Sequence, residues 1–281
     1  MIFPVLLGTL LYDINSIIDK NFASFLPDGN ISVLDYSYKV AGAAQGILAY
    51  PITTVIYTQL SERASKKDVA GINDSIEQGF MGLSSIMIPV LTGMLCTSGF
   101  IISLLFERGA FSSSAAYATK NCLVMYLIGM FAISYRALFE KAFYSLKITK
   151  IVLLNTLVTV ITNVAFDFLL CDRFESQGLA FATSASLIIS CVFLFIQLKR
   201  QTGFKMRSST LISFAKITLA SAIMGLVIFF CRKGIKYSGL GNLYQFGILI
   251  VIGVVVYPVF LLILKEDSLK RQISSLLKKE K

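Results

Sequence analysis

The chain has 281 residues, 56% of them apolar and 15% charged, a mean hydropathy of +0.74 and a formal charge of +10. A soluble domain carries about a quarter charged residues, so a water-exposed globule is excluded. The sequence contains no histidine, which removes the commonest general base, the usual nucleophile–base pairs and the most frequent zinc ligand, so an enzyme is not expected.

Apolar runs long enough to cross a hydrocarbon core of roughly 30 Å lie at 5–26, 31–57, 80–106, 116–135, 151–171, 178–198, 211–231 and 243–264. They predict an all-α membrane protein: a bundle of eight transmembrane helices over 1–265, with a basic amphipathic cytoplasmic tail at 266–281. The first run lacks a small-residue cleavage site behind a short apolar core and reads as a span rather than a signal peptide. The connections are too short for a folded extramembrane domain, or for the acidic metal-binding loops that a membrane-bound transferase needs. Cys96, Cys122, Cys171, Cys191 and Cys231 show no CxxC spacing and read as packing residues.

Lys and Arg in alternate connections number 17 on one side and 5 on the other, which places both termini in the cytoplasm. The rich side holds Arg63, Lys66 and Lys67, then Arg136 to Lys150, then Lys199 to Arg207, then Lys265 onward; the poor side holds Arg108, Arg173, Arg232, Lys233 and Lys236. The positive charge therefore reports topology and attraction to anionic headgroups, and gives no support to nucleic-acid binding. Leu269, Ile273, Leu276 and Leu277 in the tail, and more weakly Val69, Ile72 and Ile76, recur at helical spacing. They suit either a helix on the inner leaflet or a charged connector with an incidental apolar stripe.

A charge inside a span costs at least about 2.5 kcal/mol and needs a reason. Asp13, Asp19, Lys20, Asp35, Lys39, Asp167 and Lys216 are the candidates. Asp35 and Lys39 form a favourable i,i+4 pair, and Lys39 stands one turn from Gly42 and Gly46, a small-xxx-small face followed by a kink at Pro51. The choice is between a self-neutralising pair and a cation lining a cavity. In the fifth span Asn155, Thr159, Asn163 and Asp167 recur every four residues, a polar stripe that must face protein or water. Asn15 and Asp19 repeat that spacing in the first span, and Thr183, Ser186 and Ser190 add hydroxyls in the sixth. These oxygens suit a hard cation, or else a protonated aspartate hydrogen-bonded to amides and hydroxyls.

Four strings, Ser24 to Tyr36 (SFLPDGNISVLDY), Leu105 to Phe111 (LFERGAF), Ala142 to Lys150 (AFYSLKITK) and Gly178 to Ser184 (GLAFATS), resemble the MurJ/MviN family of lipid II flippases, in that family's order. The likeness runs from Pro4 to about Leu264. It implies one lobe of an alternating-access flippase, a non-enzymatic protein of the bacterial inner membrane that moves lipid II, an undecaprenyl-linked peptidoglycan precursor, to the outer leaflet. The wider superfamily also contains exporters of drugs and polysaccharides, and a noncatalytic interaction lobe is a further alternative. Family members have about fourteen spans in two lobes, and the eight here match the second lobe plus the final pair, as in a truncated frame, a fragment, or half of a split transporter with a separately encoded first lobe. The resemblance assigns substrate binding to Lys39, where the family commonly has arginine; lysine holds a phosphate as a point charge rather than a planar fork. It assigns a sodium or proton-coupling site to Asp19, Asn163, Asp167, the Leu179 carbonyl and Thr183, with no other cofactor.

Overall fold

A computed structural model describes residues 15, 17–107, 111–235 and 241–266. Among them every regular element is helical: α1 (helical at 15 and 17–24), α2 (Asn30–Ala44), a π-turn (Gln45–Ala49), α3 (Tyr50–Ser65), α4 (Val69–Phe106), α5 (Ser113–Ser145), α6 (Thr149–Thr202), α7 (Ser208–Ile235) and α8 (Asn242–Ile263). Six helical runs are long and apolar enough to cross a membrane, α2 through α3 counting as one. The longest, α6, is two arms folded back at Glu175, whose backbone takes φ 48° and ψ −136°. Those arms make seven crossings, and α1, described only in part, stands at the expected eighth. Asp13 and the tail beyond Glu266 lie outside the described residues.

Local sequence sets the helix ends. Asp68 opens α4 by accepting the Gly71 N–H at 2.9 Å, and Ser112 opens α5 by accepting that of Ala115 at 3.2 Å. At 38 residues, α4 is about 57 Å long at 1.5 Å per residue and overshoots the bilayer at its start. There Glu77 accepts from the Arg207 N–H at 2.9 Å and from the Thr210 hydroxyl, while Asp74 holds the Arg207 guanidinium at 2.6 Å. These acids satisfy orphan donors at the start of α7 and pin it to α4.

α5 is the central post, with 72% of its most apolar stretch buried, packed on α4, α6, α2 and α3. Leu83, Leu123, Leu127, Met130, Leu138, Phe143 and Leu194 fill this core. Since lipid tails are as apolar as these side chains, polar ties and close approaches add specificity. Ser84 pairs with Tyr135 at 2.7 Å, and Ser37 bonds the Thr119 carbonyl at 2.9 Å. The α6 hairpin closes because Gly178 has no side chain: a Cβ there would lie 2.5 Å from the Leu170 carbonyl oxygen.

Four expectations are corrected. Span four does not stop at Tyr135; α5 continues to Ser145, and Arg136 is buried within it because Glu140, one turn on, neutralises it at 2.8 Å. The loop expected between the fifth and sixth spans is a bend at a single residue. Val69, Ile72 and Ile76 do not form a surface stripe, since Ile72 and Ile76 are fully buried in the first turns of α4. Gly42 and Gly46 meet nothing among the described residues, so no described helix packs on them, and the irregularity near Pro51 is the preceding π-turn, within one continuous run from Asn30 to Ser65.

Candidate functional site

The polar stripe of α6 faces inward along its length, Asn155, Asn163 and Asp167 having no exposed surface and Thr159 very little. Opposite it stands α1, whose Asn15 amide donates to the Asn163 side-chain oxygen. One turn on, the Asn163 amide reaches the Asp167 carboxylate at 3.5 Å. Asp19 and Asp167 come within hydrogen-bonding reach of each other. The Glu175 fold-back brings in the second arm, where the Thr183 hydroxyl stands 3.4 Å from the Asp19 carboxylate and 3.1 Å from the Leu179 carbonyl, able to donate to one at a time.

Asp19, Asn163, Asp167, Leu179 and Thr183 thus meet on three helical segments, with Asn15 as an additional member. One oxygen each of Asn15, Asp19 and Asp167 is buried without a hydrogen-bond donor among the described residues. A buried acceptor left bare costs about 1–3 kcal/mol, and three such oxygens stand together here. Among the described residues no cluster of three His, Cys, Asp or Glu side chains exists. Two carboxylates among neutral oxygens suit a monovalent hard cation or protons better than a transition metal.

The cluster borders a cavity of about 100 Å³, room for a few waters, which runs past Thr159 and Ser186 to the buried Arg136 and opens beside Lys20 and Asp35. Hydropathy missed Arg136 as a wall residue; the signal that would have found it is Glu140 at i+4. At the mouth, Asp35 is shared between Lys20 at 3.5 Å and Lys39 at 3.7 Å. Lys39 does not join the oxygen cluster. Its side chain is 69% exposed and stands at the edge of an apolar groove between α2, α4 and α8, walled by Val40, Ile47, Val90, Leu105 and Phe246.

A family model described as lipid II flippase MurJ matches residues 1–251. The probable lipid II flippase MurJ of Thermotoga maritima is 31% identical over 96% of this chain and 53% of its own length. The lipid II flippase MurJ of Thermosipho africanus is 26% identical over 85% of this chain and 46% of its own. A solved lipid II flippase MurJ in an inward closed conformation superposes with a TM-score of 0.81 at 26% identity, over 94% of this chain and 53% of that one. An outward-facing multidrug transporter of the MATE family gives a TM-score of 0.63 at 16% identity, a likeness of fold alone. The chain spans about half the length of the curated relatives it matches.

Proposed function

This chain belongs to the MurJ family of lipid II flippases, and we propose from that premise that it forms the second lobe of a transporter moving lipid II or a closely related lipid-linked precursor across the inner membrane. The observation that carries the reading is the open charged face at the meeting of α1 and α2. Asp35 and Lys39 lie about 7 to 14 Å along α2, within membrane depth, yet the Lys20, Asp35 and Lys39 side chains are 53%, 40% and 69% exposed. Charges so placed cannot face lipid tails; they require a water-filled cavity whose other wall is another lobe, on the same longer polypeptide or as a separate chain. Lys39 supplies a cation for the lipid's phosphates, and the apolar groove beside it suits a polyprenyl tail.

The oxygen cluster of α1 and α6 holds the coupling cation, for which sodium fits the all-oxygen set and a proton is the alternative. Bound there, the cation neutralises the two carboxylates, and a charge crossing the membrane potential gains about 2.3 kcal/mol per 100 mV. Asn163 and Thr183 position the Asp167 and Asp19 oxygens, and the Glu175 fold-back sets the arms so that both reach the same point.

The test is rescue of a bacterium whose own lipid II flippase can be switched off. This chain alone is expected to give no growth, and co-expression with the first lobe of a relative to restore it; rescue by the chain alone would contradict the two-lobe reading. For orientation, reporter fusions after Lys67, Lys147 and Arg207 are expected to report cytoplasm, and fusions at Ser113 and Glu175 the outside. A cytoplasmic signal at both of the latter sites would reverse the proposed topology.

A further inference from the structure

We propose that the end of the bundle opposite the Lys67, Lys147 and Lys199 connections binds the phosphate of an anionic phospholipid between Lys120 of α5 and Arg232 of α7. Gly99 of α4 makes the floor of this site. The Arg232 guanidinium donates to the Cys96 carbonyl at 3.0 Å and lies 5.3 Å from the centre of the Phe100 ring. Its second nitrogen is 3.6 Å from the point a side-chain carbon at Gly99 would occupy, and Lys120 Cδ is 3.9 Å from the same point. Basic side chains from two helices, the Arg232 guanidinium of α7 and the Lys120 stem of α5, therefore flank Gly99.

A basic side chain inside a membrane span needs compensation. Gly99 lies seven residues before the end of α4, and Lys120 seven after the start of α5, about 10 Å along each helix. Four other basic side chains inside the described spans have a carboxylate: Lys20 and Lys39 share Asp35, Arg136 has Glu140, and Lys216 has Glu266. Among the described residues no carboxylate lies within ion-pair distance of Lys120, Arg232 or the neighbouring Lys233. On this proposal the negative charge that balances them is a lipid's.

The surroundings say what carries it. Lys120 lies over Tyr117 at 5.3 Å and Lys233 over Phe229 at 4.9 Å, and these rings are 65% and 45% exposed. The site is thus flanked by exposed aromatic rings of the kind that sit at headgroup level. Guanidinium and ammonium donors suit a phosphate, and at this depth a phosphate arrives attached to a lipid.

The test uses the full chain purified in a maltoside detergent and equilibrated with equal amounts of phosphatidylglycerol and phosphatidylcholine, the retained lipid being quantified by mass spectrometry. Wild type is expected to retain phosphatidylglycerol preferentially. Each basic residue near a membrane surface contributes about fivefold, so Lys120→Gln should lower the preference about fivefold and the double variant with Arg232→Gln roughly thirtyfold, whereas Lys120→Arg should keep it. A double change of equal charge at the opposite end, Lys66→Gln with Lys67→Gln, should lower it far less. Because Arg232 also ties α7 to α4, Lys120→Gln decides the matter if the double variant does not fold. An unchanged preference in Lys120→Gln, or an equal loss in the opposite-end control, overturns the proposal. So does complete displacement of phosphatidylglycerol by millimolar inorganic phosphate, which would make this a site for a soluble ion.

Discussion

Asp167→Asn is expected to abolish sodium-dependent stabilisation of the purified chain while leaving its helix content unchanged. Asp167 is fully buried, and one of its oxygens has no donor. The amide keeps the size of the side chain and its contact with Asn163 but removes the charge a cation needs. A ligand held only by the folded state at a hundred times its dissociation constant adds about 2.7 kcal/mol. The wild-type melting temperature should therefore rise with sodium and not with equal potassium, and the Asp167→Asn variant should show neither shift. Thr183→Val, which removes one neutral oxygen, should weaken the sodium response by about 1 kcal/mol. A wild type indifferent to both sodium and pH would make the cluster a purely structural hydrogen-bond network.

The second large effect is expected far from any charge. A side-chain carbon at Gly129 would lie 2.6 Å from Ser184 Cα, a backbone contact that no rotamer can relieve. The same place is bonded in both directions: Ser184 donates to the Met125 carbonyl at 2.6 Å and accepts the Gly129 N–H at 3.2 Å. Gly129→Val must push the second arm of α6 away from α5 and carry Thr183, the next residue, off Asp19. Overpacking of this kind costs about 1–3 kcal/mol or more, so a clear drop in melting temperature and loss of the sodium response are expected together. Gly46→Ala, where a side chain meets nothing, should leave stability close to wild type. Equal tolerance at the two glycines would show that α5 and α6 do not approach as described.

The contrast between these glycines shows where sequence reading succeeds and fails. Spacing marked Gly42 and Gly46 as a packing face, but spacing does not say whether a neighbour stands opposite, and among the described residues none does. Gly129 carries no motif, and only the Ser184 backbone beside it reveals its role. The polar stripe of α6 was legible because a four-residue period places every member on one side of a helix, and apolar surroundings force that side inward. Its meeting with Asp19 was suggested only by family resemblance, since nothing in the first span specifies which helix it faces. Asn15 was visible as a partner of Asp19 in spacing, but its bond to Asn163 is a tertiary fact. Arg136 was misplaced because hydropathy ends a span at the first charge, whereas an ion pair one turn long lets the helix continue. The charged run Asp172, Arg173 and Glu175 reads as a loop for the same reason, though a single residue with positive φ makes the bend.

The central claim is that this lobe supplies both the phosphate-binding cation and the coupling-ion site of a lipid transporter. It is tested most directly by replacing the second lobe of the Thermotoga maritima relative with this chain and reconstituting the chimera in liposomes with fluorescent lipid II. The appearance of probe in the opposite leaflet is followed with and without a sodium gradient. The account predicts movement that the gradient accelerates, that Lys39→Gln abolishes, and that Asp167→Asn uncouples from sodium. A folded chimera that moves lipid II equally fast with Lys39→Gln, or no faster than empty liposomes, would contradict it.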